Sequence, residues 1–391
     1  MTRPKTTSIV RCLLTAIIGA SSILPQIATA QTPAAAYAAE ADSVTISPGS
    51  GGDDTVRIQQ AIDHSHGAVR FSAGLYKLNG PIHLRGSRTY IGEGSWDPRY
   101  GSVLMQQASD APIFSVEGQI SSVTIIGLTF DGAPGADAKG IAAGNSNALL
   151  AASTVRDSYF LTGLAECIDV PMILTRIERN QFGANGGSIS PKHRHIHSVY
   201  PDAEGQTNAN WIVGNLFRSA QGSESVLFES GVQLHIIGND FESNDADTTL
   251  RIHGMFQVVV DGNYFEGNKG DALMHFANSR HSQSGSGNYI VRLQNNYYNM
   301  QRCGDVGCTS IYNNLVFKLD GNSSGGRPSV TAVYMGYETG THFTHTDSTT
   351  ADLTDPALAA LCSGSGRGIY LSITGPFYIP DYKGSETNGC K

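Results

Sequence analysis

A chain of 391 residues with 34 acidic against 26 basic side chains, and a formal charge of −8, lacks the basic surface that a sequence-independent grip on nucleic-acid phosphates requires. Its length would allow two domains, but no Pro-rich or charged linker divides it, so one long body is expected. Past the N-terminal leader, no stretch approaches the roughly 18 consecutive apolar residues of a membrane span.

Arg3, Lys5 and Arg11 precede the apolar run "CLLTAIIGASSILPQIA", and Ala28-Thr29-Ala30 has the small-x-small form of a signal-peptidase site. Residues 1–30 therefore read as an export signal, with a secreted or periplasmic product starting near Gln31. Losing three basic residues takes the formal charge from −8 to −11. A local basic cluster can still hold an acidic polysaccharide on a globally negative protein. In an oxidising compartment Cys303 can pair with Cys308, and Cys362 with Cys390. Cys167, between apolar neighbours in "AECIDVPM", is expected to be a buried free thiol.

After a flexible leader, "DDTVRIQQAIDHSHG" places the capping candidates Asp53 and Asp54 before Val56, Ile58, Ala61 and Ile62 at partly helical spacing. A short amphipathic helix closing the end of a longer body is expected. "GAVRFSAGLYKLNGPIHLRGSRTYIGEG" then supplies the first short strands and glycine turns.

The rest of the chain is organised by a repeat. "WIVGNLF", "HIIGNDF" and "VVVDGNYF" end on Phe217, Phe241 and Phe265, spaced by 24 and 24, with Asn215, Asn239 and Asn263 two positions earlier. Asn296 and Tyr298 take the same roles after an insertion, and Phe130, Phe160 and Phe182 mark earlier members. Segments rich in Val, Ile, Phe and Tyr and broken by Gly-Asn turns read as strands of a solenoid, with the repeated Phe packed inside and the Asn bonding along the stack. The fold class is all-β, a right-handed parallel β-helix of single strands with an N-terminal capping helix. It forms one domain over residues 42–391, of which 299–391 are irregular late coils and a C-terminal cap.

The Asp-Asp-Thr helix, then "VRFSAGLYKL", then "SRTYIGEG", resembles the opening of pectate-lyase-like right-handed parallel β-helix proteins. That resemblance covers Asp53 to about Tyr298. It implies the fold and leaves the reaction open, since the superfamily holds polysaccharide lyases, glycoside hydrolases, epimerases and phage depolymerases. A fainter similarity to inulin fructotransferase-like enzymes lies in "SVLFESG", "IIGNDF" and "GRPSVTAV".

Stepping through the repeat places Val226, Leu250 and Met274 in one inward column, and Phe228, Ile252 and Phe276 in another. Between them Leu227, Arg251 and His275 should point outward, with Glu229, His253 and Ala277 in the neighbouring outward column. The spacing from Phe182 to Phe217 is 35, and its surplus contains "PKHRHIHSVYPD". That loop, with Lys192, His193, Arg194, His195 and His197, reads as one wall of a cleft gripping an anionic substrate. Arg280 and His281 of "ANSRHSQSGSG" would form the other wall. Two alternatives stay open: a solvated surface loop, or a zinc site of three alternating imidazoles opposed by the charges of Lys192 and Arg194.

The leading function is a carbohydrate-active enzyme that cleaves a uronate-containing glycan by β-elimination. Here His253 or His275 would be the base, and Arg251 and Lys192 the clamps on developing carboxylate charge. His193 and His195 would contact substrate. A hydrolase or fructotransferase acting on a neutral glycan would instead centre on Glu229 or Glu224, with Asp271 in the same coils. A non-catalytic carbohydrate-binding β-helix is the third reading. The expected partner is a poly- or oligosaccharide, without nucleic acid or membrane, and homo-oligomers are open to such a fold. No cofactor is required, but calcium is a candidate because Glu242 to Asp247 is crowded with oxygen donors.

Overall fold

Most strands are short because the chain turns at left-handed residues along each coil. Gly214, Gly238 and Gly262 have φ of 63°, 63° and 62°, and Asp157 and Arg179 hold the equivalent corner in earlier coils at 52° and 54°. Nothing lies within 4 Å of a Cβ built at Gly238 or Gly262, so backbone conformation and not crowding favours glycine there. Each of the three glycine corners is followed by the Asn that the repeat singled out, Arg179 by Asn180 and Asp157 by Ser158. In this computed structural model, which describes residues 42–184, 189–200, 207–270, 272–277, 290–294, 296–304, 307–312, 317–320, 332–335 and 370–373, the coils stack as a right-handed parallel β-helix. The described strands form sheets of 19, 10 and 3 members.

The interior follows from the repeat. Phe130, Phe160, Phe182, Phe217, Phe241 and Phe265 are fully buried in one column, with successive ring centroids 4.7–4.8 Å apart and planes within 12° of parallel. Beside it runs an amide ladder. Asn215 Nδ2 donates to Asn239 Oδ1 at 3.0 Å, Asn239 Nδ2 to Asn263 Oδ1 at 2.9 Å, and Asn263 Nδ2 to Asn296 Oδ1 at 2.8 Å. Each Oδ1 also accepts the backbone N–H of the preceding Asn, and each Nδ2 donates to a carbonyl, so these buried amides are satisfied. A second ladder joins Asn244 to Asn268.

Helix α1 (Thr55–His64) packs Ile58 and Ile62 into the core as expected, but Val56 is exposed. Asp54 holds the N-cap position but turns its side chain to Gly49 N–H and Arg57, while Asp53, one residue earlier, accepts from the Thr55 N–H and hydroxyl through Oδ1. Among the described residues no helix is long and apolar enough to cross a membrane. Late in the chain, parallel pairing continues through Phe317–Asp320, Ala332–Met335 and Tyr370–Ile373. The antiparallel register there sets Cys303 opposite Cys308. Residues 1–41, Cys362 and Cys390 lie outside the described residues.

Six successive strands carry the site: β1 (Lys139–Ala143), β2 (Glu166–Asp169), β3 (Arg194–Ser198), β4 (Gln221–Ile237), β5 (Asp245–Asp261) and β6 (Ala272–Ala277). From β2 to β6 each has two consecutive buried residues at a bend: Cys167-Ile168, His195-Ile196, Ser225-Val226, Thr249-Leu250 and Leu273-Met274. Outward side chains therefore flank the bend in two columns instead of alternating strictly.

This bend corrects the expectation for His193 and His195. Both are 0% exposed, so neither lines a substrate cleft. His193 Nδ1–H donates to Leu164 O at 2.7 Å, and its ring packs edge-on against His195 at 5.1 Å. His195 Nε2–H donates to Arg218 O at 2.8 Å while its Nδ1 accepts from the Ser225 hydroxyl at 2.7 Å. With His197 on the outer face, the three imidazoles do not converge on one metal.

Two expectations follow. Phe241→Ala should cost about 3 to 5 kcal/mol in denaturant unfolding, because it opens a cavity in the middle of the ring stack. The buried histidines should make the fold acid-sensitive. Burial pushes His193 down to about 4 and His195 well below its ordinary value. For a depressed imidazole the unfolded chain binds the extra proton, so the stability contribution is full above pH 6.5 and is lost as pH falls toward 4. For His193 alone the loss is roughly 3 kcal/mol. His193→Gln should flatten stability between pH 6.5 and 4 relative to the wild type, as measured by denaturant midpoints.

Candidate active site

The outward columns of β1 to β6 hold charged side chains, and the column before the bend alternates in sign from Lys139 to Glu224. Before the bend stand Lys139, Glu166, Arg194 and Glu224 on successive rungs; beyond it stand Asp169, His197, Leu227, Arg251 and His275. Lys139 Nζ lies 2.6 Å from Glu166 Oε2 and 2.7 Å from Asp169 Oδ2. Arg194 bonds Glu166 and reaches Glu224 Oε1 at 2.6 Å, and Arg251 Nη1 meets Glu224 Oε2 at 3.0 Å. The result is a continuous ionic ladder across five rungs.

Glu224 is 3% exposed, although it faces out of its strand. Glu229, His253 and His275, at 5%, 5% and 8%, share this property, each largely covered by its neighbours on the sheet. Burial pushes the Glu224 carboxyl up, but the Ser223 hydroxyl and the Arg194 and Arg251 guanidiniums outweigh it and hold the group below the usual range. With both oxygens gripped by arginine, Glu224 is a fixed anion and no general acid.

One imidazole of the strip is set up for proton transfer. His197 Nδ1–H donates to Asp169 Oδ1 at 2.7 Å, so that in the neutral, partly exposed ring Nε2 is the acceptor nitrogen. Burial raises the Asp169 carboxyl, but the His197 bond and the Lys139 ammonium bring it below its ordinary value, so it stays anionic and keeps the ring in that tautomer. Leu227, apolar in an otherwise polar column, sits between His197 and Arg251. Arg251 keeps a buried Nε–H with no partner among the described residues.

The expected site residues divide accordingly. Arg251, His275, Glu229 and His253 occupy the outward columns that the repeat assigned them, and the His253 and His275 rings pack edge-on at 5.1 Å. Glu224 joins them through Arg251. Lys192 does not stand with Arg251: its ammonium binds Asp137 at 2.6 Å on the exposed turn ahead of β3. Asp271, Arg280 and His281 lie outside the described residues. The sequence reading missed Lys139, Glu166 and Asp169, named Arg194 only as a loop charge, and took His197 as a loop charge or a zinc ligand.

Glu166, Asp169 and His197 converge with one ligand atom each within 4.8 Å, a spacing that suits a cation. The Lys139 ammonium already bridges the two carboxylates, so a metal would have to displace it, and no metal role is assigned. In the acidic turn expected to suit calcium, Glu242 pairs with Arg218 and Asp245 lies 3.7 Å from Lys269.

No protein-family model matches the chain, and no curated protein matches it. Among solved structures it is similar to the tailspike protein of Acinetobacter phage vB_ApiP_P1, with a TM-score of 0.58 and 16% identity over 86% of this chain and 62% of that one. It is also similar to the gp42 tailspike of Acinetobacter phage vb_AbaP_AS12, with a TM-score of 0.50 and 15% identity over 87% of this chain and 57% of that one. The chain thus spans about three-fifths of the length of the tailspikes it matches. At this level of identity the likeness concerns the fold alone, that of a right-handed parallel β-helix.

Proposed function

We propose that this chain is an exported carbohydrate-active enzyme that cleaves a uronate-containing glycan by β-elimination, with His197 as the base. The observation that carries this reading is the Asp169–His197 pair on rigid backbone, flanked by Arg194 on its own rung and Arg251 two rungs on. Relative to the sequence expectation, the base moves from His253 or His275 to His197. His197 is the partly exposed ring of the strip that a carboxylate anchors through Nδ1.

The chemistry needs a base at the carbon beside the uronate carboxylate and donors on that carboxylate. His197 Nε2 would take the C5 proton, and the electron pair would form the C4–C5 double bond as the C4–O bond breaks. The departing oxygen would take the proton back from the imidazolium. Arg194 and Arg251 are ion-paired, so they contribute fixed N–H donors more than net positive charge. Their pairing to Glu224 holds them in place before substrate arrives. The apolar face of a sugar ring fits over Leu227, between base and clamp.

The carboxylate reading is weaker on this geometry. A glycosidase needs one carboxyl that keeps its proton near the working pH, and Glu224 is held the other way. Asp131, pushed up to about 6 by burial, is the described carboxyl raised furthest, but it stands on a strand of the ten-stranded sheet, away from the strip.

Purified protein incubated with uronate polymers should generate both reducing ends and the ultraviolet absorbance of unsaturated uronates. His197→Ala should lower kcat by on the order of 10² to 10⁴-fold, and Arg251→Ala by about 10²-fold, each with an unchanged circular dichroism spectrum. Glu229→Gln should retain elimination. Loss of all activity in Glu229→Gln, with neutral fructan or glucan cleaved normally by His197→Ala, would overturn elimination in favour of a carboxylate mechanism.

A further inference from the structure

The alternation of charge along the strip has a period of two rungs. Lys139, Arg194 and Arg251 occupy the first, third and fifth, while Glu166 with Asp169, and then Glu224, occupy the second and fourth. Rungs of a parallel sheet repeat at about 4.8 Å, so like charges recur roughly every 10 Å along the axis. An extended glycan lying along the strip advances by about one sugar per rung, and a disaccharide therefore spans one charge period.

From this match, and resting on the elimination reading of the site, we infer that the substrate is a strictly alternating glycan in which each uronate is followed by a neutral or amino sugar. A uronate over a cationic rung meets the guanidinium donors of Arg194 or Arg251 or the ammonium of Lys139, all of which keep part of their surface exposed. The next sugar lies over Glu166 or Glu224, whose remaining lone pairs accept hydroxyl or amide N–H groups. In a homopolymeric polyuronate every second carboxylate would face one of these fixed anions. Glu224 cannot relieve that repulsion by taking a proton, since its arginines hold it ionised. The strip thus discriminates by repulsion on the acidic rungs as much as by attraction on the cationic ones.

Binding to the His197→Ala protein separates this inference from the reaction. Size-matched chains of an alternating uronate–N-acetylhexosamine polymer and of a homopolymeric polyuronate would be compared by calorimetry. The alternating chain should bind roughly tenfold more tightly or better, the scale of a single charge-assisted hydrogen bond. Introducing Glu224→Gln into the same protein should erase most of that preference by improving the homopolymer. Should this variant fail to fold, Glu166→Gln makes the same change two rungs away. Equal or tighter binding of the homopolymer, binding of neither chain, or a preference unchanged by both glutamine variants would overturn the inference. Absence of unsaturated products from the wild type would instead count against elimination, leaving the binding ratio to judge the charge spacing.

Discussion

Everything in this molecule depends on stacking in register at the rung spacing. Each side chain is held about 4.8 Å from its equivalents in the coils before and after, on a backbone too rigid to let them part. Residues that gain from meeting their own kind therefore form columns. Phenylalanine does so through parallel rings, and asparagine because one amide can donate while the next accepts. Charge cannot. Two like charges one rung apart repel by roughly 3 to 4 kcal/mol at an effective dielectric near 20, so a charged column must alternate or neutralise itself. The ladder from Lys139 to Arg251 is that solution, and it brings both arginines and the carboxylate that fixes His197 into one strip.

The same constraint explains what the sequence made legible. From Asn215 to Phe265 the coils keep a constant length, so counting by 24 assigned Leu227, Arg251 and His275 to one outward column and Glu229 and His253 to the next, as the registers have them. Upstream the coil length changes. Lys139 to Glu166 is 27 residues, Glu166 to Arg194 is 28, and Arg194 to Glu224 is 30, so no fixed step joins the four members of the ladder. In "KHRHIH" the bend reverses the simple alternation, sending His193, His195 and Ile196 inward and leaving Arg194 and His197 outside. A basic cluster that looked like one surface patch is thus divided between the core and the groove. The usable signal was the spacing of 28 shared by Glu166 to Arg194 and Asp169 to His197, which places an acid and a base on consecutive rungs in both columns.

Core and groove are joined through β3. Burial keeps His193, just ahead of this strand, and His195 within it neutral, while Leu164 O, the Ser225 hydroxyl and Arg218 O fix their rings; between and beyond them stand Arg194 and His197. The geometry of the strip is consequently set by the packed interior and not by a mobile loop, which is the condition under which fixed donors stabilise developing charge most effectively.

The most direct test is where a uronate sits. A crystal structure of the His197→Ala protein with an oligosaccharide containing uronate should show the sugar over Leu227, its carboxylate within hydrogen-bond reach of Arg194 or Arg251, and its C5 facing the position vacated by the imidazole. An oligosaccharide bound away from β3 to β5, or one bound there with its carboxylate turned from both arginines, would contradict the site described.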